Sequence, residues 1–164
     1  MNKEIHKLLI VAVILGLTFF RLIPHPPNFT PILAVSIFAG MKFKNNLLSY
    51  IVPIVSMFLS DALIGFHVGM YVIYPTLVLT VFIARNFNNI NSASIFSSIL
   101  FFIVTNFQVW LISTSYSNTI YGMIECYTLA LPFFSMTLLS TFIFSYCLFY
   151  GFSFFSSISL YQKV

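Results

Sequence analysis

Few side chains in this sequence can do polar chemistry, and they are far apart: Arg21, His25, Asn28, Asp61, His67, Asn106 and Glu125. Arg21 offers a planar fork of donors suited to a polar or anionic group. Asp61 offers the matching carboxylate. Both sit near the ends of apolar runs, where a charge costs less than the roughly 2.5 to 3.5 kcal/mol it costs at the centre of a membrane helix. An Arg21 to Asp61 ion pair would relieve both charges, either as a purely structural bridge or as part of a site that hydrogen-bonds a ligand. His67 lies in the turn Gly65-Phe66-His67-Val68-Gly69, and His25 in the proline-rich stretch Pro24-His25-Pro26-Pro27-Asn28-Phe29-Thr30. These two histidines with Asp61 and Glu125 are the donor types of a divalent-metal site. They come from four separate segments without helical ligand spacing, so no metal site is expected.

Thr105, Asn106 and Gln108 precede Trp110 in a strongly apolar stretch. Amide side chains in such a stretch face the interior of a helix bundle, so Asn106 either contacts a ligand or joins helices. No phosphate-binding loop, nucleophile elbow, HExxH or paired-carboxylate motif is present. The expectation is a binding protein, not an enzyme, with no catalytic residue and no cofactor. Any active transport would need a partner that hydrolyses ATP. An enzyme using Asp61, His25 or His67 as acid and base ranks last among the readings.

The elements that must carry these residues are dictated by composition. The chain is 60% hydrophobic and 6% charged, with a mean hydropathy of +1.01, which leaves too little polar surface to cover a soluble core. The expected fold is all-α, one integral membrane domain over residues 1–164 in contact with membrane lipid. Six apolar segments can be marked: Leu8 to Ile23, Pro31 to Met41, Leu47 to Ile64, Met70 to Ala84, Ala93 to Ser113 and Thr119 to Phe155. Lys3, Lys7, Lys42, Lys44, Arg85 and Lys163 fall at alternate ends of these runs. By the positive-inside rule those ends are cytoplasmic, giving six crossings of a cytoplasmic membrane with both termini inside. The net charge of +4 thus reports orientation, since single residues spread over loops make no nucleic-acid stripe. The first run lacks a small-residue cleavage pattern and is expected to remain as an uncleaved span.

Two segments have unusual lengths. The second covers little more than half of the hydrocarbon core, which takes about 20 helical residues to cross. The prolines before it favour an extended path, with Thr30 expected as N-cap and Pro31 as first helical residue. Irregular backbone at membrane depth is tolerated where it lines a cavity, and interrupted spans point to binding sites in transporters. The sixth segment is far longer than one span, and Pro132 is expected to divide it into a surface or lid portion and a crossing portion. Cys126 and Cys147, 21 positions apart in that segment, would be separated by roughly 30 Å on a helix and are read as small buried hydrophobes. Trp110, Tyr71, Tyr74, Tyr116 and Tyr121 fit an outer aromatic belt. Ala12 and Gly16 form a small-xxx-small pattern that lets another helix approach closely.

The strings Arg21-Leu22-Ile23-Pro24-His25-Pro26-Pro27-Asn28-Phe29-Thr30-Pro31, Ser60-Asp61, Gly65-Phe66-His67, Thr105-Asn106-Phe107 and Leu131-Pro132-Phe133-Phe134 resemble a bacterial membrane family of unknown function described as a transport protein. That family is similar in size and six-span layout to the substrate-binding S components of energy-coupling factor transporters. The resemblance implies capture of a vitamin-like small molecule at an outward pocket; Arg21, His25, Asn28, Asp61, His67 and Asn106, polar residues on the outer halves of different segments, are expected to surround it. It also implies docking to a membrane coupling subunit with ATPases. S components dock through a small-xxx-small motif in their first span, typically of alanines; here Ala12 and Gly16 occupy it, and the glycine departs from that pattern. The competing expectation is a structural or assembly membrane protein with no ligand, whose polar cluster locks helices together.

Overall fold

The computed structural model describes the backbone of residues 3–161 and the side chains of residues 12–154. Lys163 and the side chains of Lys3 and Lys7 lie outside the described residues. All regular structure among these residues is helical: α1 (Lys3–Leu22), α2 (Ile32–Lys42), α3 (Asn46–Ile64), α4 (Met70–Ala84), α5 (Ile90–Ile112) and α6 (Ile120–Tyr161). Asn45 and Asn89 cap α3 and α5, their side chains accepting from the backbone N–H of Leu48 and Asn91. Gly65 ends α3 at φ 118°, a backbone angle that a side chain would strain.

The short helix α2 is the axis of the bundle. Every residue from Pro31 to Gly40 is buried, and α2 contacts each of the other five helices. Around it α1 packs on α3, α3 on α4, α4 on α5 and α5 on α6. Among the described residues the ring does not close with a comparable contact between α6 and α1.

Apolar side chains fill the core and also cover much of the outside, while small hydroxyl side chains are buried among them. Ser36, Ser49, Ser56, Ser60, Thr76, Thr80, Ser94, Ser97, Ser98 and Thr141 are buried, whereas Phe19, Leu63, Phe82, Ile112 and Leu129 are exposed. The small interior side chains let helices approach closely. Ser36, Ser56, Thr76 and Thr80 return their protons to the carbonyl four residues earlier, which satisfies a buried hydroxyl without a second helix. Among the described residues three stretches are long and apolar enough to cross a membrane, Asn46–Ile64, Ile90–Ile112 and Ile120–Phe154; Ile32–Lys42, Met70–Ala84 and the described part of α1, Ala12–Leu22, are shorter and apolar.

Three local expectations need correction. Pro31 itself is the N-cap of α2, with no side-chain cap, and its carbonyl accepts from Val35 N–H at 2.9 Å; Thr30 does not cap. α6 runs unbroken through Pro132, so the last segment is not divided there. A proline removes one helical hydrogen bond, but α6 is held to α5 on both sides of it. Tyr127 donates to the Ile103 carbonyl at 2.7 Å, and the Phe134 and Phe102 rings lie 4.8 Å apart. Finally, Cys126 is buried but Cys147 is exposed, because Cys147 faces the gap between α1 and α6.

Candidate functional site

At one end of the bundle the C-terminal turns of α1 and α3 meet the first turns of α4. Asp61 is fully buried there, and Arg21 reaches it across 2.6 Å from Nη1 to Oδ1. The other carboxylate oxygen accepts from the Tyr74 hydroxyl at 2.8 Å. Nη1 of Arg21 also contacts the Ser60 hydroxyl and the Met57 sulfur. Ser60 in turn donates to the Met57 carbonyl at 2.8 Å. Such a cluster ties α1, α3 and α4 together, and a buried charge so matched is stable only while all its partners remain. His67 stands at its edge, Nε2 being 3.9 Å from Asp61 Oδ1.

The proline-rich segment between α1 and α2 forms a strap over this end. Asn28 takes φ 61°, a left-handed angle that asparagine tolerates better than most residues. Around it Phe29 N–H donates to the Pro26 carbonyl and Thr30 N–H to that of Asn28, each at 3.0 Å. Ser140 on α6 donates to the Asn28 carbonyl at 3.4 Å. Aromatic contacts hold the strap from both sides: His25 stacks on Phe20 at 5.6 Å, and Phe29 meets Phe144 edge-on at 5.6 Å.

Beneath the strap lies a cavity of about 340 Å³ whose polar wall is Arg21, His25, Asn28, Thr30, Thr137 and Thr141. Ile32, Leu33, Met57, Ile64, Ile73 and Phe101 form the rest. A second hollow of about 410 Å³ shares Asn28, Ile73 and Phe101 with it and adds Thr105, Asn106 and Tyr116. An apolar cavity with a few convergent polar groups is the usual form of a small-molecule site.

The residues expected from the sequence are therefore only partly gathered. Arg21, His25 and Asn28 line one cavity, and Asn106 lines the hollow next to it. The Asn106 amide donates back to the Phe102 carbonyl at 2.8 Å, which leaves its oxygen and second N–H without a hydrogen bond to a described residue. Asp61 lines neither, since both its oxygens are engaged behind Arg21. His67 opens onto a separate recess with Phe66, Tyr71 and Tyr74. Glu125 is exposed on α6. Among the described residues no three of His, Cys, Asp and Glu converge as metal ligands.

Sequence reasoning missed Thr30, Thr137 and Thr141 as cavity residues, and the hydroxyl of Tyr74 as a partner of Asp61. Thr137 and Thr141 carry a readable signal, for two threonines four apart share one helix face on a helix otherwise rich in Phe and Leu.

Ala12 and Gly16 line a different hollow, an apolar groove of about 330 Å³ between α1 and α6 over α2. Phe38, Phe43, Phe144 and Phe152 supply most of its bulk, and Gly151 faces it from α6. A Cβ added at Gly16 or at Gly151 would meet nothing within 4 Å.

No curated protein and no solved structure matches this chain. The model of a family of unknown function, DUF6580, matches residues 1–163, and the chain belongs to that family.

Proposed function

We propose that this protein is a solute-binding subunit of a membrane transport system, embedded in a bacterial cytoplasmic membrane by six crossings with both termini inside. The strapped cavity then faces outward. The many exposed Phe, Leu and Ile side chains around the bundle support embedding in lipid, since an exposed apolar surface of that extent needs an apolar environment. The short α2, α4 and described part of α1 belong to the crossing set because α2 is wholly enclosed and the strap completes its path.

The observation that carries the binding role is the cavity under residues 24–31, where Arg21, His25, Asn28, Thr30, Thr137 and Thr141 converge on space large enough for a vitamin-sized organic molecule. A bundle needing only a structural lock gains nothing from polar groups aimed into a hollow. The open groove beside Ala12 and Gly16 supports a partner helix from a coupling subunit that supplies ATP hydrolysis. Asp61 contributes by holding Arg21, not by touching solute.

The alternative, an assembly protein without ligand, draws on the Arg21, Asp61 and Tyr74 cluster, which already satisfies Asp61 completely. Gentle purification into lipid nanodiscs followed by mass spectrometry of retained small molecules separates the two. A retained solute that raises the thermal midpoint when added back supports binding; ligand at 100 times its dissociation constant adds about 2.7 kcal/mol. An empty protein that no extract fraction stabilises would leave the assembly role.

A further inference from the structure

Which solute the cavity takes can be read from hydrogen-bonding capacity that its walls leave free. Every hydrogen bond that Arg21 makes to a described residue comes from one nitrogen, Nη1, which meets Asp61, Ser60 and Met57. The opposite edge of the guanidinium, Nε with Nη2, has no such bond, while the side chain is 13% exposed and lines the cavity. That edge presents two parallel N–H donors, which is the geometry that grips a carboxylate bidentately. No aspartate or glutamate lines the cavity to compete for it.

Three of the other polar groups have the reverse character. Thr137 and Thr141 donate their hydroxyl protons to the carbonyls of Phe133 and Thr137, at 3.0 and 2.7 Å, so toward the cavity each has only lone pairs to offer. His25 places Nδ1 3.0 Å from the Pro26 carbonyl. A neutral ring that donates there keeps Nε2 as an acceptor. Arg21 thus brings a cationic pair of donors to the cavity, Thr137, Thr141 and His25 bring acceptors, and Asn28 and Thr30 carry both kinds of group.

Resting on the reading of this cavity as a solute site, we propose that its ligand is a small carboxylic acid that also carries an N–H or O–H donor. Its carboxylate lies in the plane of Arg21 on the Nε and Nη2 edge, and its donor points to Thr137, Thr141 or His25. Asp61 and the ligand then flank one guanidinium on two edges, with the Tyr74 hydroxyl sharing the charge of Asp61.

The test uses the full chain in nanodiscs and thermal-shift titration with pyrrole-2-carboxylate, indole-2-carboxylate, 4-hydroxybenzoate and leucine, each beside its primary amide, and with inorganic phosphate. Mass spectrometry of retained molecules runs in parallel. The expected result is that at least one acid, or a retained acid added back, stabilises the protein at a concentration at least tenfold lower than its amide. Arg21→Lys keeps the charge facing Asp61 but lacks the fork, and where it folds it should lose that preference. Amides equal to acids, phosphate equal to acids, or a preference surviving in Arg21→Lys would each overturn the carboxylate assignment and leave solute binding standing. Should Arg21→Lys fail to fold, the acid-to-amide ratio in the unaltered chain decides alone. If neither probe class shifts the midpoint and nothing is retained, the solute-binding reading itself falls, and the assignment with it.

Discussion

Two hollows adjoin α2, nearly equal in volume at about 340 and about 330 Å³, and their chemistry is opposite. The first is bordered by the strap, and its polar groups are held in place by neighbours. Ser60 and Asp61 fix Arg21, and backbone carbonyls orient Thr137 and Thr141. The second is walled by phenylalanines and two glycines, Gly16 and Gly151, at which an added Cβ would meet nothing within 4 Å. Equal space therefore says little about occupant. Fixed and unsatisfied hydrogen-bonding atoms select a polar solute, whereas an apolar, small-residue wall selects another apolar surface.

The comparison breaks first if the cluster behind the polar cavity proves dispensable. Asp61→Ala leaves Arg21 largely buried without its counter-charge, and it should destabilise the fold by about 3 to 5 kcal/mol, read as a fall in midpoint in detergent or nanodiscs. Arg85 supplies the control. It also joins two helices, α4 to the start of α3, but through the neutral Ser49 and Asn46. Losing it leaves no buried carboxylate behind, and Arg85→Ala should cost no more than about 1 kcal/mol. Equal effects of the two changes would mean that the buried charge pair has no special role.

Next in size is the closed side of α2. A Cβ at Gly40 would lie 2.6 Å from the Val81 carbonyl oxygen and 3.0 Å from the Ala84 side chain, and a backbone atom cannot swing away. Overpacking of this kind costs about 1 to 3 kcal/mol, partly offset by the helix propensity of alanine, worth up to about 1 kcal/mol. A net loss is expected for Gly40→Ala. A neutral result would show that α2 and α4 separate easily and that α2 is not the rigid axis its burial suggests.

These two sites differ in how legible they were. Arg21 and Asp61 announce themselves in sequence, because charges in apolar runs need each other, and the pair is found where the run ends place it. The short α2 and its proline-rich approach were equally plain, since length and proline chemistry act locally. What stayed hidden depended on facing. Nothing local says that Tyr74 turns its hydroxyl inward to Asp61 while Tyr71, three residues earlier, stays exposed. The unbroken course of α6 through Pro132 escaped for a related reason, as the contacts from Tyr127 and Phe134 that hold it to α5 are tertiary. His67 and Asp61 belonged to one expected pocket, yet only distance in the folded chain shows that Asp61 is already engaged and His67 opens elsewhere.

That separation gives a third, smaller effect. Asn106 lines the hollow that shares Asn28, Ile73 and Phe101 with the strapped cavity, and His67 does not. Asn106→Ala should weaken binding of a retained solute by about 1 kcal/mol if its free oxygen accepts from that solute, with His67→Ala unchanged in affinity. Isothermal titration of both variants checks this, and the reverse order would move the site to the recess beside Tyr71.

The smallest stability effect is expected at the groove. Gly16→Leu adds a bulky apolar side chain where a Cβ meets nothing within 4 Å, between Phe20, Phe144 and Cys147. Exposed positions of this sort usually shift stability by within about 0.5 kcal/mol, and leucine is a better helix former than glycine. The isolated protein should therefore fold and keep its midpoint. A marked loss of stability would show instead that α1 and α6 close on one another, leaving no groove to fill. If the midpoint holds, association decides what the groove is for. A partner helix that packs against Gly16 cannot reach a leucine-covered surface, so copurification of a coupling subunit should be lost while solute binding at the strapped cavity persists. Retained copurification at an unchanged midpoint would free the groove of any docking role and leave it as ordinary lipid-facing surface.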